Sequence, residues 1–447
     1  MPATSLIDRG RAMLDWIEED ARLCAELIRR PWSYGRWYGV GQGPRLRGER
    51  RVWVIASDVA QVYIGLRFIK EVRRRHPHLT FVFSVCTRAA HRIAAGEVSP
   101  GDEVTYVPMP FSPGLWRALS SMRPLALVTV LSIEQSRLLW LARRRGIPVA
   151  WIAAEMADDT AGALRSAREQ FERARFIQAI DVLCANTPGD GQRLAAFGFS
   201  ADRIEVVGPA KYDAALPFTQ QSAAGRALLD AAGIDATRLV LLGGSIVDGE
   251  DIALMDVYTA LKPHMPQLVL ALALRDVRRG GAIAFQMKQR GLTVLLRSEM
   301  RRDALPGACP DVFIVDSVGE LKGLYASATV VFVGRSLSAR TGSNLMEPAG
   351  YGKPLVIGPY FERFEEPLAD FRAARAVCQV ADVDELRRTI AALLQDPDLR
   401  AGYGQRAYEV VTRNAGALRR TVECLDRSDL FRQMAPARRR TTSAAQA

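Results

Sequence analysis

A repeated alternation constrains this chain more than any other feature. Short, continuously apolar runs alternate with segments of helical periodicity. The first series of runs is RVWVIAS, LTFVFSVC, EVTYVPM, PLALVTVLS, PVAWIAA, DVLCAN and IEVVG. Between them lie residues 62–75, AAHRIAAG, GLWRALSSM and SRLLWLARRRG, all with helical spacing. A strand that is apolar throughout must be covered on both faces, and parallel strands need crossover helices. The pattern predicts a parallel sheet between two helical layers. After ALPFTQQSAAG a second series starts: RLVLLGGS, LVLALAL, LTVLLRS, DVFIVDS, TVVFVGRS, PLVIGP and AVCQV. Helices are expected from about 249, at 281–290, at 319–326 and at 384–395. The fold class is therefore α/β, with two Rossmann-like doubly wound domains facing across a cleft. A chain of 447 residues suits two domains of roughly 200. The boundaries read as an N-terminal segment 1–50, a first domain 51–215, a second domain 216–430 and a tail 431–447. Ligands of such sheets bind outside the carboxyl ends of the strands.

Composition narrows the partners. Apolar residues are 49% and charged residues 24%, which excludes wholesale disorder. Lys and Arg number 60 against 49 Asp and Glu, a net charge of +11 that favours acidic partners without choosing among them. The six cysteines form no C-x-x-C and read as reduced thiols. The four histidines form no H-x-x-H, so no metal site is predicted. No stretch reaches ~18 uncharged apolar residues, and acids interrupt the N-terminus from Asp8 onward. The expected location is cytoplasmic, free or on a membrane surface. Residues 6–30 carry helical periodicity, as a helix pair or one long helix. Trp32, Tyr34, Trp37 and Tyr38 then stand among arginines. Such a segment suits a lipid headgroup boundary or an arm packed on the protein itself. Arg73, Arg74 and Arg75 add a second basic cluster. The tail FRQMAPARRRTTSAAQA, with four arginines and no acid, is expected to be disordered.

Four segments of the second series could hold a ligand. In GRSLSARTGSNLMEPAGYGKPLVIGP a strand ends at Gly334 and a loop of small residues follows, with Gly342 and Ser343 in it. Asn344 can cap a helix holding Glu347, with Pro348 in its first turn. Small residues let backbone N–H groups approach an anion, and Glu347 suits ribose hydroxyls. In LLGGSIVDGED, Gly244 and Ser245 could hold phosphate oxygens, whereas Glu250 reads as a helix-start charge. In DSVGELKGLYASA, Asp316 and Ser317 end a strand ahead of a helix opened by Gly319 and Glu320. In LALRDVRRG, Arg275 ends a strand where it could grip phosphate or carboxylate. Each segment alone also reads as an ordinary strand–helix loop or a surface charge. All four fall at strand ends of one sheet.

Taken in order, GSIVDGED, DSVGELKGLYASA, VFVGRSL, TGSNLMEPAGYGKP and IGPYFERF resemble the Kdo transferases of lipopolysaccharide synthesis. These are GT-B glycosyltransferases that move 3-deoxy-D-manno-octulosonic acid (Kdo) from CMP-Kdo to a lipid A precursor. The resemblance spans about residues 51–425 and is strongest from 241. It implies a donor site with Lys211 after VVG, and no cofactor beyond the donor substrate. The family's catalytic Glu follows the first strand, and the matching stretch ASDVAQV puts Gln61 there. Gln cannot take a proton, and Asp58 on the same turn is the acid that could. SIEQ leaves Glu134 as the nearest match to the family's acidic pair. Thr341 replaces a family glycine, and the family's membrane-spanning anchor is not expected here.

The resemblance implies an inverting, metal-independent transfer; no DxD motif is present. The expected partners are a CMP-sugar and an anionic lipid or glycan acceptor at the cytoplasmic face of the inner membrane. The alternative is a paralogue that binds a sugar nucleotide or a partner but has lost its base. A GT-B epimerase would need an acidic and histidine set that this chain lacks. A nucleic-acid binder would explain the charge but not the four loops.

Overall fold

The computed structural model describes residues 51–108, 112–130, 136–156, 167–300, 308–428 and 430. Each of the apolar runs becomes a strand. The first series gives β1 (Arg51–Ala56), β2 (Thr80–Val85), β3 (Glu103–Tyr106), β4 (Ala126–Val130), β5 (Val149–Ala154), β6 (Val182–Ala185) and β7 (Ile204–Val206). They form one sheet in the order β3-β2-β1-β4-β5-β6-β7, with every pairing parallel. The order reverses between β1 and β4, and that break leaves a crevice at the strand ends. Val52 to Ala56 are fully buried, because β1 has strands on both sides and helices on both faces. The indole of Trp53 donates to Ser84 Oγ at 2.8 Å, which satisfies both buried groups.

The second series gives β8 (Leu239–Ile246), β9 (Leu268–Leu274), β10 (Val294–Leu296), β11 (Val312–Val315), β12 (Val330–Val333), β13 (Leu355–Ile357) and β14 (Cys378–Gln379). Their order is β10-β11-β9-β8-β12-β13-β14, again parallel, with the reversal between β8 and β12. Alternate residues feed two separate cores. Val240, Leu242, Val331 and Val333 face one layer of helices, while Leu241, Val330 and Phe332 face the other.

The chain divides into two compact units, 1–209 with 417–447, and 210–416. This differs from the expected boundaries at both ends. Helix Ala210–Ala215 belongs to the second unit. It lies so close to helix Met346–Gly350 that a Cβ on Gly350 would stand 2.4 Å from the Ala215 carbonyl oxygen. Helix Ala417–Arg427, expected in the second domain, returns to the first unit. It buries Leu418, Val422 and Leu425, and Glu423 and Asp426 pair with Arg75 at 2.6 and 3.2 Å. His76 Nε2 also meets Asp426 Oδ1 at 2.7 Å.

The basic cluster 73–75 is correspondingly not free charge. Arg73 makes a two-pronged contact with Asp102 at 2.7 Å, and Arg74 pairs with Glu71 at 2.9 Å. The five described cysteines are free thiols, Cys184 and Cys424 buried among them. No helix among the described residues is long and apolar enough to cross a membrane. The expectations for residues 1–50 and for the tail fall outside the described residues.

Candidate functional site

In the first unit the crevice between β1 and β4 is edged by Ser57 and Asp58. Asp58 is the N-cap of helix Val59–Arg75, and its extended backbone lets Oδ1 accept the Gln61 N–H at 2.9 Å. Gln61 Oε1 accepts the Ser57 N–H at 2.7 Å. The two residues therefore lie together and open the helix jointly. Asp58 remains exposed at the strand end. The hydroxyl of Ser57 is buried and unpartnered. Glu134 lies outside the described residues.

In the second unit the corresponding crevice lies between β8 and β12, and Glu250 organises it. The sequence reads this residue as a surface charge at a helix start. The structure buries it completely. Its Oε1 accepts the N–H groups of Ser336 and Leu337 at 2.9 and 3.0 Å. Its Oε2 accepts those of Arg335 and Val247 at 2.8 and 3.2 Å. One carboxylate thus ties the loop after β8 to the loop after β12. Four N–H donors compensate the burial of its charge. No local pattern announces such a clamp, because three of its four partners are 85 to 87 residues away.

Gly244 and Ser245 sit at this clamp. The pairing of β8 with β9 shifts register between Gly244 and Ile246, and Ser245 takes a left-handed φ of 61° in the bulge. The Gly334 N–H bonds to the Gly244 carbonyl at 2.8 Å. A Cβ on Gly334 would stand 2.7 Å from the Ser245 oxygen, so only glycine fits there. Arg275 is exposed just past β9, and its N–H bonds to the Ile246 carbonyl at 2.9 Å. Gly244, Ser245 and Arg275 are thereby brought together with residues 334–337.

The loop after β12 bends back at Gly342, where φ is +66° and the N–H reaches the Arg335 carbonyl at 2.7 Å. Ser343 is half-buried beside it. Asn344 Oδ1 accepts the Met346 N–H at 3.1 Å and so helps open helix Met346–Gly350. Burial pushes the Glu347 carboxyl on this helix above its usual range, opposed by the Lys322 ammonium. Lys322 is itself buried; it donates to the Ala214 carbonyl and lies 5.0 Å over the Phe218 ring. Lys211 is exposed on the Ala210–Ala215 helix, within the second unit.

Asp316 differs from expectation. It ends β11, but both oxygens are used by Ser298, whose N–H and hydroxyl donate at 2.9 and 2.5 Å. It braces the segment after β10 because that edge strand brings Ser298 alongside. Beside it the Ser317 hydroxyl is buried without a partner. Gly319 turns with φ +109°, and Glu320 directly precedes the short helix Leu321–Tyr325. Among the described residues no group of three or more His, Cys, Asp or Glu is placed to hold a metal ion.

Two parallel sheets, each broken at a switch point edged by polar loops, define a GT-B-type glycosyltransferase architecture. A crystal structure of UDP-GlcNAc 2-epimerase from Neisseria meningitidis shares the fold. It is 14% identical, covers 84% of this chain and all of its own, and has a TM-score of 0.54. Sequence comparison is more specific. Residues 34–214 match the family described as 3-deoxy-D-manno-octulosonic-acid transferase (kdotransferase). The 3-deoxy-D-manno-octulosonic acid transferase of Bordetella pertussis is 28% identical over 84% of this chain and 86% of its own length. That of Haemophilus influenzae is 25% identical over 88% and 89%. The chain is thus similar to Kdo transferases over most of its length.

Proposed function

We propose that this protein transfers a Kdo-type sugar from CMP-Kdo to a lipid A precursor or a related envelope glycan, with inversion and without a metal. The acceptor oxygen bonds to the anomeric carbon from the face opposite CMP. The bond from that carbon to the CMP oxygen breaks, CMP keeps the electron pair, and the hydroxyl proton passes to a base. Asp58 is that base, the exposed acid at the strand end of the first unit. Glu134 is the second candidate.

The observation that carries the donor half is the Glu250 clamp, which gathers Gly244, Ser245 and the 334–347 loop at one switch point. Glu347 adds a carboxylate whose raised proton affinity reports desolvation, and a ribose hydroxyl donating to it would offset that cost. Developing phosphate charge would be met by Arg275 and the loop N–H groups.

One feature favours a second reading. Gln61 stands where the family has its base, and its amide is committed to the helix start. A binding paralogue without turnover would have this arrangement. Incubating the protein with CMP-Kdo and a lipid A precursor decides between them. Formation of a glycosylated product with release of CMP supports the transferase. CMP binding without product in the wild type, with product from Gln61→Glu, supports the paralogue.

A further inference from the structure

The strand ends of the second sheet hold three guanidinium groups that the reaction above leaves without a full account. Arg275 follows β9, Arg335 follows β12, and Arg363 follows β13. Backbone bonds hold them to one rim. The Arg275 N–H reaches Ile246 O at 2.9 Å, Arg335 N–H reaches Glu250 Oε2 at 2.8 Å, and Arg363 N–H reaches Thr341 O at 3.3 Å. The Arg335 carbonyl in turn accepts the Gly342 N–H at 2.7 Å.

Arg335 is the unusual member. Its φ is +63°, the left-handed region that glycine occupies readily and a long side chain avoids. Ser245, across the same crevice, is left-handed as well. Non-glycine residues held in this region cluster where the surrounding structure forces them into place for a ligand. Burial, then the neighbouring charges of Arg275 and Arg363, make the Arg335 guanidinium easier to deprotonate than usual, against the pull of Glu250. Glu250 makes no hydrogen bond to these guanidinium groups, because four backbone N–H groups occupy its oxygens. Among the described residues no carboxylate is paired with the side chain of Arg275, Arg335 or Arg363. The nearby acid Glu362 is taken by Arg340 at 3.0 Å. The hydroxyl of Thr341, whose carbonyl accepts the Arg363 N–H, is buried and has no partner. Guanidinium groups and a hydroxyl at one rim are the donor types that grip an oxyanion.

We propose that Arg335 and Arg363 extend the donor site into an oxyanion clamp with Arg275, and that Arg335 is its specificity-determining residue. The ligand chemistry is a phosphate or sugar-acid carboxylate oxygen, which guanidinium groups grip in pairs. The identity of the ligand rests on the donor reading above; the clamp itself does not.

The test is titration calorimetry on the full chain at low salt, with CMP, cytidine, free Kdo and inorganic pyrophosphate, for wild type, Arg335→Gly and Arg335→Lys. Glycine suits the left-handed backbone, so Arg335→Gly should melt at or above the wild-type temperature. It should bind CMP about tenfold or more weakly, with cytidine unchanged. Arg335→Lys should recover part of the loss. A loss confined to Kdo, with CMP unaffected, assigns the clamp to the carboxylate and sustains it. Should wild type ignore CMP yet bind pyrophosphate in an Arg335-dependent manner, the donor reading fails and the clamp stands. Equal affinities of wild type and Arg335→Gly for every anion, in a folded variant, overturn the clamp, as does a wild type that binds none of them.

Discussion

Asp58 combines two duties that one substitution separates. Its Oδ1 caps helix Val59–Arg75 through the Gln61 N–H, and asparagine caps a helix equally well. Asparagine cannot accept a proton from the attacking hydroxyl. Asp58→Asn should therefore keep its melting temperature and CMP affinity and lose about 10²-fold or more in kcat. Gln61→Glu should fold normally, because a Glu at that position still accepts the Ser57 N–H. A wild-type kcat in Asp58→Asn would remove it from the chemistry. Glu347 makes a prediction with a sign. Its carboxyl binds a proton more tightly in the folded than in the unfolded chain. The stability from that preference is present below the ordinary value near 4.5 and is lost as pH rises through the folded value. At pH 7 the ionised group therefore costs stability. Glu347→Gln should melt above wild type at pH 7, the gap should close as pH falls towards 4, and CMP should bind more weakly. Equal melting at pH 7 with unchanged CMP affinity would leave Glu347 no special place.

At the scale of elements, the C-terminal helix tells most about assembly. Helix Ala417–Arg427 leaves the second unit at Gly416 and completes the first. The Gly416 N–H is held by both oxygens of Asp213 at 3.0 and 3.1 Å, which fixes where the chain departs. Burying Leu418, Val422 and Leu425 contributes about 2 kcal/mol each. Those contributions are a large part of the ~5–15 kcal/mol that holds a typical domain together. Ending the chain at Gly416 should accordingly speed amide exchange throughout helix Val59–Arg75 and β1, while β8 and β12 stay protected. Unchanged protection of Val59–Arg75 in the truncated protein would show that the helix is not needed there.

For the molecule as a whole, the excess of 60 cationic over 49 anionic side chains sets how it meets surfaces. Arginines 73–75 are ion-paired, so any membrane attraction must draw on other positive groups. We expect the protein to bind vesicles rich in phosphatidylglycerol at low salt. It should be released as ionic strength approaches ~1 M, where charges are screened beyond about 3 Å. Equal co-sedimentation with neutral and anionic vesicles, or indifference to salt, would end the idea of an electrostatic membrane contact.

What the sequence determined by itself is the set of strands and the order of the loops behind them. Each apolar run from RVWVIAS to AVCQV is a strand, because periodicity and continuous burial are properties of neighbouring residues. The position of Asp58 and Gln61 at a strand end, and of Asn344 at a helix start, was legible for the same reason. Tertiary structure alone decided what those loops do together. Glu250 reads as a helix-start acid until the strand order sets β12 beside β8 and delivers loop N–H groups 85 to 87 residues away to its oxygens. Asp316 reads as a strand-end acid, and only the edge strand β10 brings Ser298 to both of its oxygens. The left-handed turn at Arg335 has no local signature, since glycine is the residue that usually marks it. The amphipathic helix Ala417–Arg427 shows that it must bury one face but not against which sheet; packing between distant parts of the chain settled that.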